Sequence, residues 1–281
     1  MNYEEITKDD AENYSEYIDP DMAESLDRTF FRSIGATDDN DVPVGAIVYE
    51  LKNSESEFDT KSRIRSLKAD SEDVKNNLIE QYKSEIEEEE VEESFYESED
   101  EVMSKKLEEN GFSLEVAESL DVVLSLEDVK HLSESVKLKK LPSFITSLSE
   151  ATILQYRQFT KKCLFNGKRG LLDDLAYLPK NWFDQDVSAC AIEDDIITGV
   201  LLIKKAASGK LFALLYTAFG PDFQKTLALM MAYSAQKIVE LYPEADTKVV
   251  IRRHNEMVKK LTDKFFASCK GNMVYMGNRK E

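Results

Sequence analysis

Histidine, cysteine and glycine are scarce in this chain of 281 residues, and each scarcity removes a class of chemistry. The two histidines, His131 and His254, head no cluster of Cys or carboxylates in a metal-ligand pattern, so neither a metal site nor a His-based triad is expected. Cys163, Cys190 and Cys269 are odd in number and widely spaced, which argues against a zinc knuckle or disulfide framework and for a reducing, cytoplasmic setting. The ten glycines form no Gly-x-Gly-x-x-Gly, no Walker loop and no Gly-x-Ser-x-Gly. Apolar runs are short, none near the ~20 residues that cross a bilayer. Met1-Asn2-Tyr3-Glu4-Glu5 lacks the basic and apolar regions of a signal peptide. The expectation is a soluble, intracellular protein.

Negative charge, by contrast, is abundant and unevenly placed. The net charge is -19; residues 1–130 hold 39 acidic and 13 basic side chains, whereas residues 131–281 hold 16 and 23. The length is about twice that of a typical domain. Val129 to Leu141 is polar and rich in Ser and Lys. These features predict two domains, 1–130 and 131–281. Phosphate backbones demand clustered Lys and Arg, so the acidic half excludes nucleic acid and anionic membrane as partners and favours a cationic amine or basic peptide. The densest acidic run, Glu85, Glu87 to Glu90, Glu92 and Glu93, reads as a solvated helix end and loop.

The chain is organised around Ile196 to Tyr242. Ile196 to Ile203 and Leu211 to Thr217 are apolar and rich in β-formers, with Ser208-Gly209 between them, which predicts a hairpin. After Gly220-Pro221, the residues Phe223, Leu227, Met231, Ala235, Ile238 and Tyr242 recur at three and four, the stripe of a long amphipathic helix. The first half repeats this plan. Phe30 to Ala36, Val44 to Leu51 and Ser62 to Leu67 read as strands, and Val74, Leu78, Tyr82 and Ile86 as the stripe of a helix opened by Asp70 to Asp73. A strand at Phe95-Tyr96, a helix from Asp100 to Asn110 and two strands within Phe112 to Leu126 follow. The second half adds helices at Ser147 to Phe165, with Ser147 and Glu150 spaced as a capping box, and at Gly170 to Leu178. Strands at Val187 to Ile192, Lys248 to Ile251 and Asn272 to Met276 and a helix at Asn255 to Phe266 complete it.

This pattern, met twice, resembles the GNAT superfamily of acyl-CoA-dependent N-acetyltransferases in tandem. The segments that carry it are Val44 to Tyr49 with Ile64 to Ile86, Glu101 to Phe112, and Gly199 to Leu241 with Asn255 to Phe266. The resemblance implies an α+β (mixed α/β) chain of two GNAT-like domains, each a mostly antiparallel central sheet flanked by helices. It also implies acetyl-CoA as cofactor, held near Tyr216, Thr217, Ala218, Phe223, Gln224, Lys225 and Asn255.

The chain departs from the family where its chemistry is usually done. The glycine loop that lets backbone N–H groups approach a diphosphate is replaced in the first half by Asp70-Ser71-Glu72-Asp73-Val74-Lys75, without glycine, and in the second by Phe219-Gly220-Pro221-Asp222-Phe223-Gln224-Lys225. Relatives place a tyrosine on the last helix as general acid; the corresponding positions here are Thr262 and Leu107. Tyr216, Tyr233 and Tyr275 remain as phenols, and no catalytic residue is assigned. Arg252-Arg253-His254 is a small basic cluster that reads as an exposed loop or as a contact for a CoA phosphate. Two functions follow: transfer of an acyl group from acyl-CoA to an amine, or a non-catalytic binding or scaffolding protein that has kept the fold. Two such domains in one chain fit a monomer that mimics a dimer, and a homodimer equally.

Overall fold

The computed structural model describes residues 1–53, 60–135, 141–266 and 269–280 of the chain. In chain order the first elements are β1 (Asn2–Glu5), α1 (Pro20–Ala23), β2 (Phe31–Thr37), β3 (Pro43–Asn53), β4 (Thr60–Ala69), α2 (Glu72–Glu88), β5 (Val91–Ser98), α3 (Glu101–Glu109) and β6 (Glu115–Glu118). They are followed by β7 (Asp121–Ser125), α4 (Leu126–Ser135), β8 (Ile145–Ser147), α5 (Ile153–Phe165), β9 (Ala189–Glu193), β10 (Ile196–Lys205), β11 (Leu211–Ala218), α6 (Phe223–Leu241), β12 (Lys248–Arg252), α7 (Glu256–Phe265) and β13 (Met273–Lys280). These elements form two compact units: Met1–Ser119 with Met273–Glu281, and Leu120–Asn272. No helix among the described residues is long and apolar enough to cross a membrane.

The first unit is a seven-stranded sheet in the order β1-β2-β3-β4-β5-β13-β6, antiparallel except for β4 against β5. The stripe predicted for α2 is its buried face, with Val74, Leu78, Tyr82 and Ile86 all inside. Together with Leu107 of α3 these residues close over Ile47, Tyr49 and Ile64 on one side of the sheet. Tyr82 is fully buried, and its hydroxyl is satisfied at 2.9 and 2.8 Å by those of Ser62 and Ser94. Ile6, Tyr14 and Ile18 cover Ala46 and Val48 on the opposite side.

The second unit is a six-stranded sheet in the order β7-β12-β11-β10-β9-β8, again with one parallel pair, β11 and β12. Leu227, Met230 and Ile238 of α6, with Val129 and Leu132 of α4, bury one face. Tyr156 and Phe159 of α5, with Leu172 and Leu175, bury the other. Both units are thus mixed α+β with mostly antiparallel sheets, as the alternation of short apolar runs and helical stripes requires.

Several details differ from the sequence expectations. The units do not meet at 130 and 131. β7 pairs with β12, from Asp121 opposite Arg252 to Ser125 opposite Lys248, while the last strand β13 lies between β5 and β6. The stretch from Val129, expected to hold the domain boundary, continues α4 to Ser135, because Leu126, Val129 and Leu132 recur every third residue and are buried in the core with α6. Residues 136–140 of that stretch lie outside those described. The helix expected from Ser147 begins at Ile153, where Thr152 and Gln155 form the capping box that Ser147 and Glu150 suggested by spacing alone. Gly170 to Leu178 forms turns and no helix, although Leu172, Leu175 and Leu178 are buried as a helical stripe would be.

The insertion of β13 depends on one glycine. Gly277 pairs with Tyr96, and a Cβ there would stand 1.7 Å from the Ser113 carbonyl oxygen and 2.9 Å from the Tyr96 ring. Ser113 N–H donates to Asn278 O, and Asn278 N–H to Ser113 Oγ, both at 2.9 Å, so the backbone has no slack at this point. Gly277→Ala is therefore expected to lower the unfolding free energy by about 2 kcal/mol or more, as overpacking of a fixed contact does. An unchanged urea midpoint would show that β13 is not seated there.

Candidate functional site

In the second unit the parallel pair is short. Leu211, Phe212 and Ala213 face Val249, Val250 and Ile251, and past them no ladder joins the two strands, although β11 runs on to Ala218. The separation coincides with an irregularity on the other edge of β11. Leu215 faces Leu202 and Ala213 faces Ile203, which leaves Leu214 as the extra residue of a β-bulge. Bulges bend a strand and re-aim its side chains.

A cavity of about 60 Å³ lies where the strands part. Ala213, Leu214 and Tyr216 line it from β11, and Ile251 and Arg252 from β12. Met231, Ser234 and Ala235 close it from α6, and Val258, Leu261 and Thr262 from α7. The walls are mainly aliphatic, yet two side-chain hydroxyls within them, Tyr216 Oη and Ser234 Oγ, are buried without a hydrogen-bond partner. Ser234 is 2 % exposed. Burial raises the Tyr216 phenol well above its ordinary value, so at neutral pH it remains a protonated donor. An unsatisfied buried hydroxyl costs roughly 1 to 3 kcal/mol. Two of them in one apolar cavity are a stability cost that a ligand carrying acceptors would offset.

The helix that follows β11 starts unusually bare. Gly220 has φ of +104° with open space around it, and Asp222, the residue before α6, makes no side-chain cap. The first turn has no acidic residue, and Gln224 and Lys225 are exposed there. The N–H groups and positive end of the helix dipole therefore face solvent uncapped by side chains. The corresponding helix of the first unit is closed. Ser71 caps α2 by accepting from Val74 N–H, and Glu72 sits in its first turn, paired at 2.8 Å with both Lys106 and Lys75. Lys106 first, then Lys75, hold the Glu72 carboxyl down at about 2. A carboxylate thus occupies the place where an anionic ligand would meet that helix.

Of the residues expected to hold the cofactor, Tyr216 alone lines the cavity; Arg252 and His254 of the basic cluster line it as well. Thr217 and Ala218 are buried in the β11 pairing with Val200 and Gly199. Phe223 packs at the edge of the core, and Gln224 and Lys225 lie outside the cavity on the open end of α6. Asn255 caps α7, accepting from Val258 N–H at 2.9 Å, with its Nδ2 2.8 Å from His254 Nε2. Thr262, at the family's tyrosine position, lines the cavity, but its hydroxyl donates to Val258 O at 2.7 Å. Leu107 is core, Tyr233 and Tyr275 are half-buried against the cores of their units, and neither phenol lines the cavity. Arg252 pairs with Asp121 at 3.1 Å and Arg253 with Asp263 at 3.5 Å, so the basic cluster is held in place rather than loose. Ser234 and the Leu214 bulge had not been picked out. Ser234 left one trace, a hydroxyl inside the apolar stripe between Met231 and Ala235.

By sequence, no family model and no curated protein matches this chain. Solved structures do. A tandem GNAT protein from the clavulanic acid biosynthesis pathway, solved without AcCoA, aligns with 99% of this chain and 98% of its own at a TM-score of 0.65 and 8% identity. A protein of unknown function from Enterococcus faecalis, described as a probable N-acyltransferase, aligns with 99% of this chain and 72% of its own at 0.54 and 10%. A putative acetyltransferase from Pyrococcus horikoshii aligns with 100% and 89% at 0.53 and 11%. The likeness spans the whole chain and shows a tandem GNAT fold.

Two measurements test the site in the free protein. Tyr216→Phe removes a hydroxyl that has no partner, and is expected to raise the unfolding free energy by about 1 kcal/mol; a loss of that size would mean the hydroxyl is satisfied. For Glu72 the folded value is depressed, so its contribution is present above about 4.5 and fades as pH falls toward 2. The wild type should therefore lose stability relative to Glu72→Gln across that window, modestly because the pair is solvent-exposed. Parallel pH curves for the two proteins would rule the pairing out.

Proposed function

We propose that the second unit binds an acyl-CoA and that the protein transfers the acyl group to an amine. The observation that carries this reading is the cavity where β11 and β12 part, with the unpartnered Tyr216 and Ser234 hydroxyls in it. The residues fit a thioester ligand. The aliphatic walls suit a small acyl group, the two hydroxyls suit its carbonyl oxygen, and the uncapped start of α6 with Lys225 suits a diphosphate. Residues 120–272 hold 22 Lys and Arg against 18 Asp and Glu, a balance that accepts a polyanion as the first half does not. Acetyl-CoA is the simplest probe of such a site.

When bound, acyl-CoA supplies an activated acyl thioester. A neutral amine attacks its carbonyl carbon, the C–N bond forms as the C–S bond breaks, and the proton lost by the amine ends on sulfur, so that the products are an amide and free CoA. The chain's part is to orient and to stabilise charge. Tyr216 and Ser234 donate to oxygen, which is the task of an oxyanion site. Tyr216, protonated at neutral pH, is suited to donating a hydrogen bond and poorly suited to acting as a base. A thiolate of ordinary basicity, near 8.5, leaves without a strong acid, which accommodates Thr262 where relatives carry a tyrosine. The acidic first half draws cationic amines and basic peptides toward the protein.

The first unit has a different part. With Ser71 and Glu72 filling the start of α2, it serves as a non-catalytic copy of the fold, which extends the binding or scaffolding alternative to this unit alone. Calorimetric titration of CoA and acetyl-CoA is the test. Micromolar binding, weakened about tenfold by Lys225→Glu, which reverses a charge beside the diphosphate, is the expected result. Absence of binding by the wild type would sink the reading.

A further inference from the structure

The four most exposed large apolar side chains among the described residues stand together. Ile153 (71 %), Leu154 (68 %) and Phe165 (78 %) are on α5, and Tyr177 (69 %) is on the turns whose leucines share its core. Arg157 ties the two segments, its Nη1 donating to Ala176 O at 2.6 Å. Leu154, Gln158, Lys161 and Phe165 recur at four, three and four, so they form one outward stripe opposite the buried Tyr156, Phe159 and Cys163. The same face is basic. Arg157, Lys161 and Lys162 are exposed on it, and Ile153–Phe165 contains no acidic residue. Lys161 lies over the Phe165 ring at 5.8 Å and Lys162 over Phe219 at 4.3 Å, and among the described residues none of the three cations pairs with a carboxylate. Large apolar side chains gathered on one exposed face mark an interaction site.

Charge selects the occupant. Two copies of α5 laid face to face would set Arg157 and Lys161 against their own kind, which like-charge repulsion opposes. The complement is acidic, and the chain itself carries it. The first unit, Met1–Ser119 with Met273–Glu281, holds 37 acidic against 14 basic side chains. Its β6 is an edge strand. Val116 of β6 and Met273 of the adjoining β13 are exposed on one face of that edge, and Glu115 and Glu118 are exposed beside them. We infer that the protein self-associates, with the apolar, basic face of α5 in one copy seated on the acidic β6 edge of another. Leu154 and Phe165 meet Val116 and Met273, and Arg157 and Lys161 meet the flanking carboxylates. One helix face about 20 Å long covers less than the roughly 800 Å² per partner of a standard interface, so the association is of micromolar strength. None of these residues lines the cavity, so self-association stands whether or not acyl-CoA binds.

The experiment is sedimentation velocity of the full chain across micromolar concentrations, on the wild type, Phe165→Asp, Lys161→Glu and Val116→Lys. At about 0.1 M salt the Debye length of about 10 Å screens the long-range repulsion between two chains but not charges in contact, whereas about 1 M salt screens those as well. The wild type should therefore gain mass with concentration, and should associate about tenfold more weakly at the higher salt. Each variant should weaken association about tenfold, and the exposure of all three positions spares the fold. Lys161→Glu and Val116→Lys, each spoiled on one surface only, should associate with each other when mixed. A wild type that stays monomeric at every concentration would overturn the inference. So would association that strengthens with salt, a mixture of the two variants that stays apart, or association that Val116→Lys leaves untouched, since α5 would then be meeting another surface. Glu115→Lys, on the same strand, serves if Val116→Lys does not fold.

Discussion

The site depends on how little β11 and β12 share. Three residues on each strand are paired, and then a bulge at Leu214 and the end of β12 let the strands diverge. A full ladder would have filled the sheet with backbone hydrogen bonds and left no room beneath α6. Where it stops, the hydroxyls of Tyr216 and Ser234 are buried without a protein partner. The rest of the second unit holds this gap open. α6 and α7 wall it on the helical side, Asn255 fixes where α7 begins, and Val129 and Leu132 of α4 line it as well.

The two units show what one fold does with opposite local chemistry. Each has a single parallel pair followed or bridged by its longest helix, so the geometry for a ligand at the start of that helix exists twice. In the first unit the Ser71 hydroxyl accepts from the Val74 N–H, and a lysine-paired glutamate sits in the first turn at the positive end of the dipole. In the second, glycine and proline lead into a turn without a capping side chain. The helix start is thus open in one unit and occupied in the other by residues a few positions from the same strand end.

Much of the fold was legible locally. The alternation of apolar runs gave β2 to β4 and β9 to β11 to within a few residues, and the stripes of α2 and α6 matched their buried faces. What escaped was what depends on distant partners. Leu172, Leu175 and Leu178 carry a helical spacing but are buried in turns, because the surrounding core decides their conformation over any intrinsic preference. β13 follows α7 in sequence yet pairs with β5 and β6, a pairing that no property of residues 273–280 announces.

The sequence alone determined composition, charge asymmetry, the two-fold repetition of elements and the absence of a glycine loop, since each is a property of neighbours along the chain. It also determined that Tyr216 is a phenol at the end of a central strand. Only the tertiary structure decided that this phenol has no partner, that Ser234 shares its cavity, and that Thr262 has spent its hydroxyl on Val258. Hydrogen-bond satisfaction is settled by atoms far apart in sequence, so which donors are left over after the fold has used the others is decided only in the folded chain.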